Sequence, residues 1–181
     1  MNEIIKKNGI KFGLILGGIG ILSQLTVYLL GGITKENAIT GSVIQIVFWL
    51  AYLITRIVQC SNTKKELNGF ITFKELFTTL TITITIGILI SQIFTFLLNN
   101  YIDVEYGKLM NAFINEQQVV AANAMKSFSE VSTEDLKEMA KTDNFSIVKI
   151  LQGSAMAFLI SSIMNLILAA IFKSKTNTLN E

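Results

Sequence analysis

Four stretches of this chain, residues 12–34, 37–55, 76–102 and 150–172, contain no charged residue and run to 23, 19, 27 and 23 residues. A helix needs about 20 mostly apolar residues to cross the hydrocarbon core of a bilayer, so each stretch is long enough. The composition agrees: of 181 residues, 51% are hydrophobic and 15% charged, where a soluble domain carries about 25% charged residues. The fold expected is all-α, an integral membrane bundle of four transmembrane helices in a single domain, and a soluble enzyme domain is excluded. With no His and one Cys, the chain lacks the residues for most metal sites, Cys-based dyads, His-dependent triads and an internal disulfide framework. No cofactor or metal is expected.

The first stretch follows Lys6, Lys7 and Lys11, as the core of a signal peptide would, but it is too long for one, and near its end stands the small pair Gly31-Gly32 and not an Ala-x-Ala cleavage site. It is taken as a retained span. With four spans, the N-terminal tail, the 56–75 loop and the C-terminal tail share one side and carry nine Lys/Arg. The other side carries Lys35 and five Lys in the 103–149 loop, against nine acidic residues with Glu36 included. The positive-inside bias then places both termini in the cytoplasm. Tyr28, Tyr101 and Tyr106 fall near the outer boundary, and Tyr52, Phe70, Phe73 and Phe77 near the inner one, where aromatic rings settle. Trp49, about two turns inside Arg56, is either a shallow anchor or a packing residue.

Lys35 and Glu36 mark a short turn that makes the first two spans antiparallel neighbours. Before the third span, Thr72 and Glu75 have the spacing of a capping box, flanked by Ile71 and Leu76 as a hydrophobic staple, so that helix is predicted to begin near Phe73. The Thr/Ile alternation inside this span would suggest a strand in water. In lipid a lone strand leaves its backbone unsatisfied, whereas helical Thr hydroxyls can bond the carbonyl one turn back.

The 103–149 loop is predicted to hold an amphipathic helical hairpin. Asp103 can cap a helix to about residue 125, with Tyr106, Leu109, Met110, Phe113, Ile114, Gln117 and Val120 along one face. Ser132 and Asp135 start a shorter acidic helix to about residue 141. Tyr106, Leu109, Met110, Phe113 and Ile114 are candidates to cover the top of the bundle, a headgroup layer or a partner protein.

Small and polar residues recur at four-residue spacing within the spans. The rows are Gly9, Gly13, Gly17; Thr79, Thr83, Gly87, Ser91, Thr95, Asn99; and Gly153, Ala157, Ser161, Asn165, Ala169. Residues four apart share a helix face, and small ones let two backbones approach, so these rows are expected to pack helices. Each span also holds an amide near mid-depth: Gln24, Gln45, Gln92 and Asn165. In lipid these should meet one another or lie at an oligomer interface, with Gln92 bonding Asn165 across spans three and four. The same residues could instead line a polar pathway, against which stands the absence of a charged residue within the four stretches.

Cys60, without His or a second Cys nearby, is expected to be a lone thiol of the inner loop, with lipidation as the alternative. The basic clusters at Lys6, Lys7, Lys11 and at Arg56, Lys64, Lys65 suit anionic lipid better than nucleic acid at a net charge of +2. The glycines at 17, 18 and 20 lack the following Lys of a phosphate loop, and the paired carboxylates are explained by helix starts.

The segments "KNGIKFGLILGGIGIL", "NGFITFKEL", "NNYIDVEY" and "STEDLKEMAK" resemble, in kind and order, the bacterial membrane family catalogued as domain of unknown function 4199, found mainly in Bacteroidota. The resemblance runs over roughly residues 8–172 and implies four spans with the long loop between the third and fourth. It implies no activity and no catalytic residues. Members often have Pro after the Asp matched by Asp103, where this chain has Val104, so the bend into the loop should be less abrupt here.

The role expected is a non-enzymatic scaffold or accessory subunit, associating with the bilayer and with other membrane subunits or itself. Its first rival is a small transporter or channel for a neutral or weakly polar solute along the Thr/Ser/Gln row. A lipid-modifying enzyme using Asp103, Glu105 or Glu116 is the more remote one.

Overall fold

The computed structural model describes residues 2–34, 36–124 and 132–174. Among them the secondary structure is all helix: α1 (Glu3–Leu29), α2 (Ala38–Glu66), α3 (Phe73–Leu97), α4 (Val104–Ala124), α5 (Thr133–Met139) and α6 (Ile147–Phe172), with α3 prolonged by a π-helical turn over Leu98–Ile102. Helices α1, α2, α3 with its π turn, and α6 are each long and apolar enough to cross a membrane. Together they form a multi-pass bundle. The end where α1 begins and α6 finishes is the base, and the end that carries α4 and α5 is the top.

The helices outrun the charge-free stretches in an instructive way. α1 starts at Glu3, capped by the Asn2 side chain on the Ile4 N–H, and runs through the first three lysines. Lys6, Lys7 and Lys11 are all exposed, so they occupy faces of the helix that never enter the core. The helix stops at Leu29 because Gly31 and Gly32 take φ of 76° and 89°, values that favour glycine, before residue 34 is reached. α2 continues past Thr55 to Glu66, so the connection at the base is the short segment 67–72 rather than 56–75. This change carries Arg56, Gln59 and Cys60 from a loop into the bundle. Cys60 is buried in an apolar cluster with Ile71, Leu76, Leu80, Leu168 and Ala169.

α3 starts at Phe73 with both halves of the capping box formed: Thr72 Oγ1 accepts from the Glu75 N–H at 3.2 Å, and Glu75 Oε2 accepts from the Thr72 N–H at 2.9 Å. Ile71 and Leu76, either side of the cap, are both fully buried. The Thr/Ile run is helical, with Thr79, Thr81, Thr85 and Thr95 each donating to the carbonyl four residues back. Ser174 closes the base against the α2–α3 turn by donating its N–H to the Ile71 carbonyl at 2.8 Å.

α1 and α3 form the most extensive helix pair, and α2 packs more lightly on the rest. Only 6% of the most apolar stretch of α2 is buried, against 39% of that of α1.

Candidate functional site

The α1–α3 seam is built by glycine. A Cβ placed on Gly9, Gly13 or Gly17 would lie 2.7 to 2.8 Å from the Cβ of Ile82, Ile86 or Ile90, so each glycine accepts one isoleucine of α3. The numbers rise together on both helices, which are therefore parallel. Gly87 receives Leu16 in return, and Gly20 lies against the Ser91 and Tyr52 hydroxyls. Tyr52 thus turns inward toward α1 and α3. Thr83 donates to the Gly9 carbonyl at 3.0 Å. Higher up, Gln24 Nε2 donates to the Ser91 carbonyl at 3.1 Å while its Oε1 accepts from Thr95 Oγ1 at 2.8 Å.

The row on α6 behaves differently. Gly153 is exposed with no atom near its missing Cβ, so its expected packing contact is not made within the described residues. Ala157 and Ser161 face the interior and line a cavity. Asn165 is fully buried but does not meet Gln92. α3 and α6 are antiparallel, with Thr85 and Leu89 beside Phe158 and Ser154. At 1.5 Å per residue this separates Gln92 from Asn165 by about 20 Å along the axis. Gln45 is exposed on α2 and makes no hydrogen bond among the described residues.

The partner of Asn165 is Arg56. Its Nη2 donates both to Asn165 Oδ1 and to the Ser161 carbonyl, the latter at 2.9 Å. Arg56 is only 8% exposed, and its Nε is buried without an acceptor. No carboxylate among the described residues pairs with it; the Lys108–Glu105 ion pair is exposed and lies in α4. One turn below, Gln59 donates to Thr83 Oγ1 at 2.6 Å, while Gln59 Oε1, Thr63 Oγ1 and Asn165 Nδ2 are buried without partners. Asn8, 1% exposed, leaves both amide atoms unpartnered. Buried polar atoms normally find a partner, so this polar layer is the least satisfied region of the bundle.

Above Arg56 the four spanning helices enclose a cavity of about 310 Å³. Leu16, Ile84 and Ile88 supply apolar wall, and Tyr52, Ser91, Gln92 and the Arg56 guanidinium supply polar groups. A smaller cavity of about 110 Å³ adjoins it between α2 and α6 and shares Trp49, Tyr52, Arg56 and Ser161 with it. Trp49 is 56% exposed and forms the rim.

At the top, Asp103 joins the bundle to the hairpin. Its Oδ1 caps α4 by accepting from the Tyr106 N–H at 3.0 Å, and its Oδ2 accepts from the Tyr28 hydroxyl, also at 3.0 Å. The Tyr28 and Tyr106 rings meet edge to face with centroids 4.8 Å apart. Burial, with lesser help from Tyr28 and Asp103, raises the Tyr106 phenol above its ordinary range. Gly107 packs directly on the Asn99 backbone, where any side chain would collide. Of the candidate contact residues, Tyr106, Met110 and Ile114 line a cavity of about 340 Å³ over the top of the bundle, together with Gln24, Gln45 and Gln92. Leu109 is exposed and Phe113 half-buried. The expected end of α4 at residue 125 lies outside the described residues.

An asparagine clasp that sequence reasoning missed holds α4 to the segment before α6. Asn144 donates its N–H to Asn111 Oδ1 at 2.8 Å and its Nδ2 to Asn115 Oδ1 at 2.5 Å. The amides of Asn111 and Asn115 donate in turn to the Thr142 carbonyl, each at 3.0 Å.

No curated protein and no solved structure matches this chain. A family model matches residues 11–174, almost the whole of the four-span bundle and its top hairpin, and the chain belongs to that family, described as protein of unknown function (DUF4199).

Proposed function

We propose that the protein is a non-enzymatic scaffold or accessory subunit of a larger membrane complex, set in a bacterial inner membrane with both termini in the cytoplasm. The observation that carries this reading is the unequal packing of the spans. α1 and α3 lock together through their glycine seam, while only 6% of the most apolar stretch of α2 is fully buried. Gln45, exposed on α2 and without a hydrogen bond among the described residues, opens onto the cavity beneath α4. In lipid an amide gains from meeting another helix, so α2 supports association with a second copy or another membrane protein. The acidic residues have structural duties that fit a non-enzymatic role: Asp103 caps α4 and holds Tyr28, and Glu105 pairs with Lys108. The orientation rests on the excess of Lys and Arg at the base.

Purification of the tagged protein at native expression in mild detergent, followed by native mass spectrometry, tests the reading. A stoichiometric second chain or a defined homo-oligomer, lost on Gln45→Leu, is expected. A monomer with no co-purifying chain contradicts it.

A second reading, a small transporter for a neutral or weakly polar solute, draws on the cavity lined by Ser91 and Gln92. Solute flux in proteoliposomes that disappears on Gln92→Leu would favour it. The Thr83 and Thr95 hydroxyls, however, are engaged between α1 and α3 and do not extend that cavity into a row.

A further inference from the structure

We propose that the cleft between α2 and α6 holds the head end of an anionic membrane lipid, with its negatively charged oxygens on the Arg56 guanidinium. The proposal is independent of what the subunit assembles with. A buried guanidinium is costly in a membrane unless its charge is answered, and it is usually paired or opens onto a polar cavity. Here the nearest acceptors, Asn165 Oδ1 and the Ser161 carbonyl, are both neutral and both served by Nη2. Nε, buried and without an acceptor, remains to be satisfied. A planar fork of donors with unmet hydrogen-bonding capacity matches a phosphate or carboxylate group.

The position of Arg56 selects a lipid over a soluble anion. The charge-free residues 37–55 lie directly above it on α2. At 1.5 Å per residue they span about 28 Å, close to the full hydrocarbon thickness. Arg56 therefore lies at the base margin of that layer, at the depth where lipid headgroups meet their acyl chains. The cavity it floors shares Trp49, Tyr52, Arg56 and Ser161 with the smaller one beside it, which is walled by Leu53, Ile160 and Met164. Ile160 is 62% exposed, so the cleft faces the surrounding acyl chains and not water. A chain running up from Arg56 would pass Leu53 and Trp49, apolar groups that suit it.

Trp49 is the chain's only tryptophan and lines both cavities, so its fluorescence reports occupancy without a label. Purified protein is placed in phosphatidylcholine vesicles containing equal mole fractions of acyl-brominated phosphatidylglycerol or acyl-brominated phosphatidylcholine, and the quenching of Trp49 is titrated. The wild type is expected to be half-quenched at a roughly threefold lower fraction of the anionic lipid, a preference drawn from charge-assisted hydrogen bonding. Arg56→Gln should remove the preference, Arg56→Lys should keep part of it, and Lys64→Gln, at the base surface, should leave it intact. Equal quenching by the two lipids in the wild type overturns the proposal, as does a preference that survives Arg56→Gln. Brominated fatty acid is added in a separate arm: quenching that depends on Arg56 and exceeds that by phosphatidylglycerol supports the anionic-lipid site with a carboxylate head. A Trp49 response to millimolar sodium phosphate in plain phosphatidylcholine vesicles assigns the site to a soluble anion and overturns the lipid. Should Arg56→Gln fail to give a helical, monodisperse protein, Arg56→Lys and the wild-type comparison decide.

Discussion

The Thr83 hydroxyl of α3 lies 3.0 Å from the Gly9 carbonyl of α1 and donates to it, an approach that the missing side chain of Gly9 permits. The two helices meet there at backbone distance, with Ile82, Ile86 and Ile90 seated in turn over Gly9, Gly13 and Gly17. Gly13→Ala should therefore destabilise the bundle by about 1–3 kcal/mol, the usual range for overpacking. Gly18, one residue beyond the row and with open space at its Cβ, is the control. Thermal unfolding in detergent should show a lower Tm for Gly13→Ala and an unchanged or higher one for Gly18→Ala.

Tyr28→Phe removes the bond to Asp103 Oδ2 and leaves the edge-to-face contact with Tyr106 in place. The expected loss of stability is small, because the hydroxyl lies near solvent and one hydrogen bond is removed. Asp103→Ala should cost more, because the α4 cap on the Tyr106 N–H goes with it. Amide exchange in the first turn of α4 should accelerate modestly in the first variant and strongly in the second, with the middle of α3 unaffected in both.

The Ser132 hydroxyl and N–H hold the Asp135 carboxyl below its ordinary range. A depressed folded pKa means that the cap's contribution is fully present above the unfolded pKa and is lost as pH falls through the folded value. Protection of the α5 amides should thus be flat from neutral pH down to the ordinary aspartate range and decay below it. Ser132→Ala should return the Asp135 titration, followed by carboxyl NMR, toward its ordinary value. An Asp135 titration unmoved by that change would rule out the cap as its cause.

Asn144→Ala deletes the bonds from its side-chain amide to Asn115 Oδ1 and Asn111 Oδ1 and the bond it accepts from Gln118, and spares its backbone bond to Asn111. Asn115→Leu should be the harsher change, because Asn115 is buried and its amide also serves the carbonyls of Ala140 and Thr142. Faster proteolysis or exchange across residues 140–146, with the spanning helices unchanged, is the expected result.

What was legible in the sequence was local or periodic. The capping boxes at Thr72/Glu75 and Ser132/Asp135 depend on residues three apart and formed as expected. The row Gly9, Gly13, Gly17 follows from helical spacing alone and lies in the seam. Arg56 is misplaced by sequence alone because the end of the apolar stretch suggests the end of the helix, whereas the helix continues and acceptors from α6, more than 100 residues away in sequence, receive the side chain. The start of α1 was hidden for a related reason: three exposed lysines masked a helix whose other face, with Ile5, Asn8 and Gly9, is buried. The Gln92–Asn165 pairing failed because residue type tells that an amide needs a partner but not at which depth it lies. The clasp of Asn111, Asn115 and Asn144 joins residues about 30 positions apart, and no local pattern announces it.

The account turns on Arg56 lying inside the bundle with Asn165 as its partner, and a double-mutant cycle tests this most directly. Thermal or denaturant unfolding of Arg56→Met, Asn165→Leu and the double variant is measured in one detergent. Removing one partner of a buried polar pair leaves the other unanswered, whereas replacing both with apolar residues is often close to neutral. Asn165→Leu should therefore be clearly destabilised, and the double variant should be more stable than Asn165→Leu alone. Additive losses from the two substitutions, or a wild-type stability in Asn165→Leu, would place the guanidinium elsewhere and contradict the account.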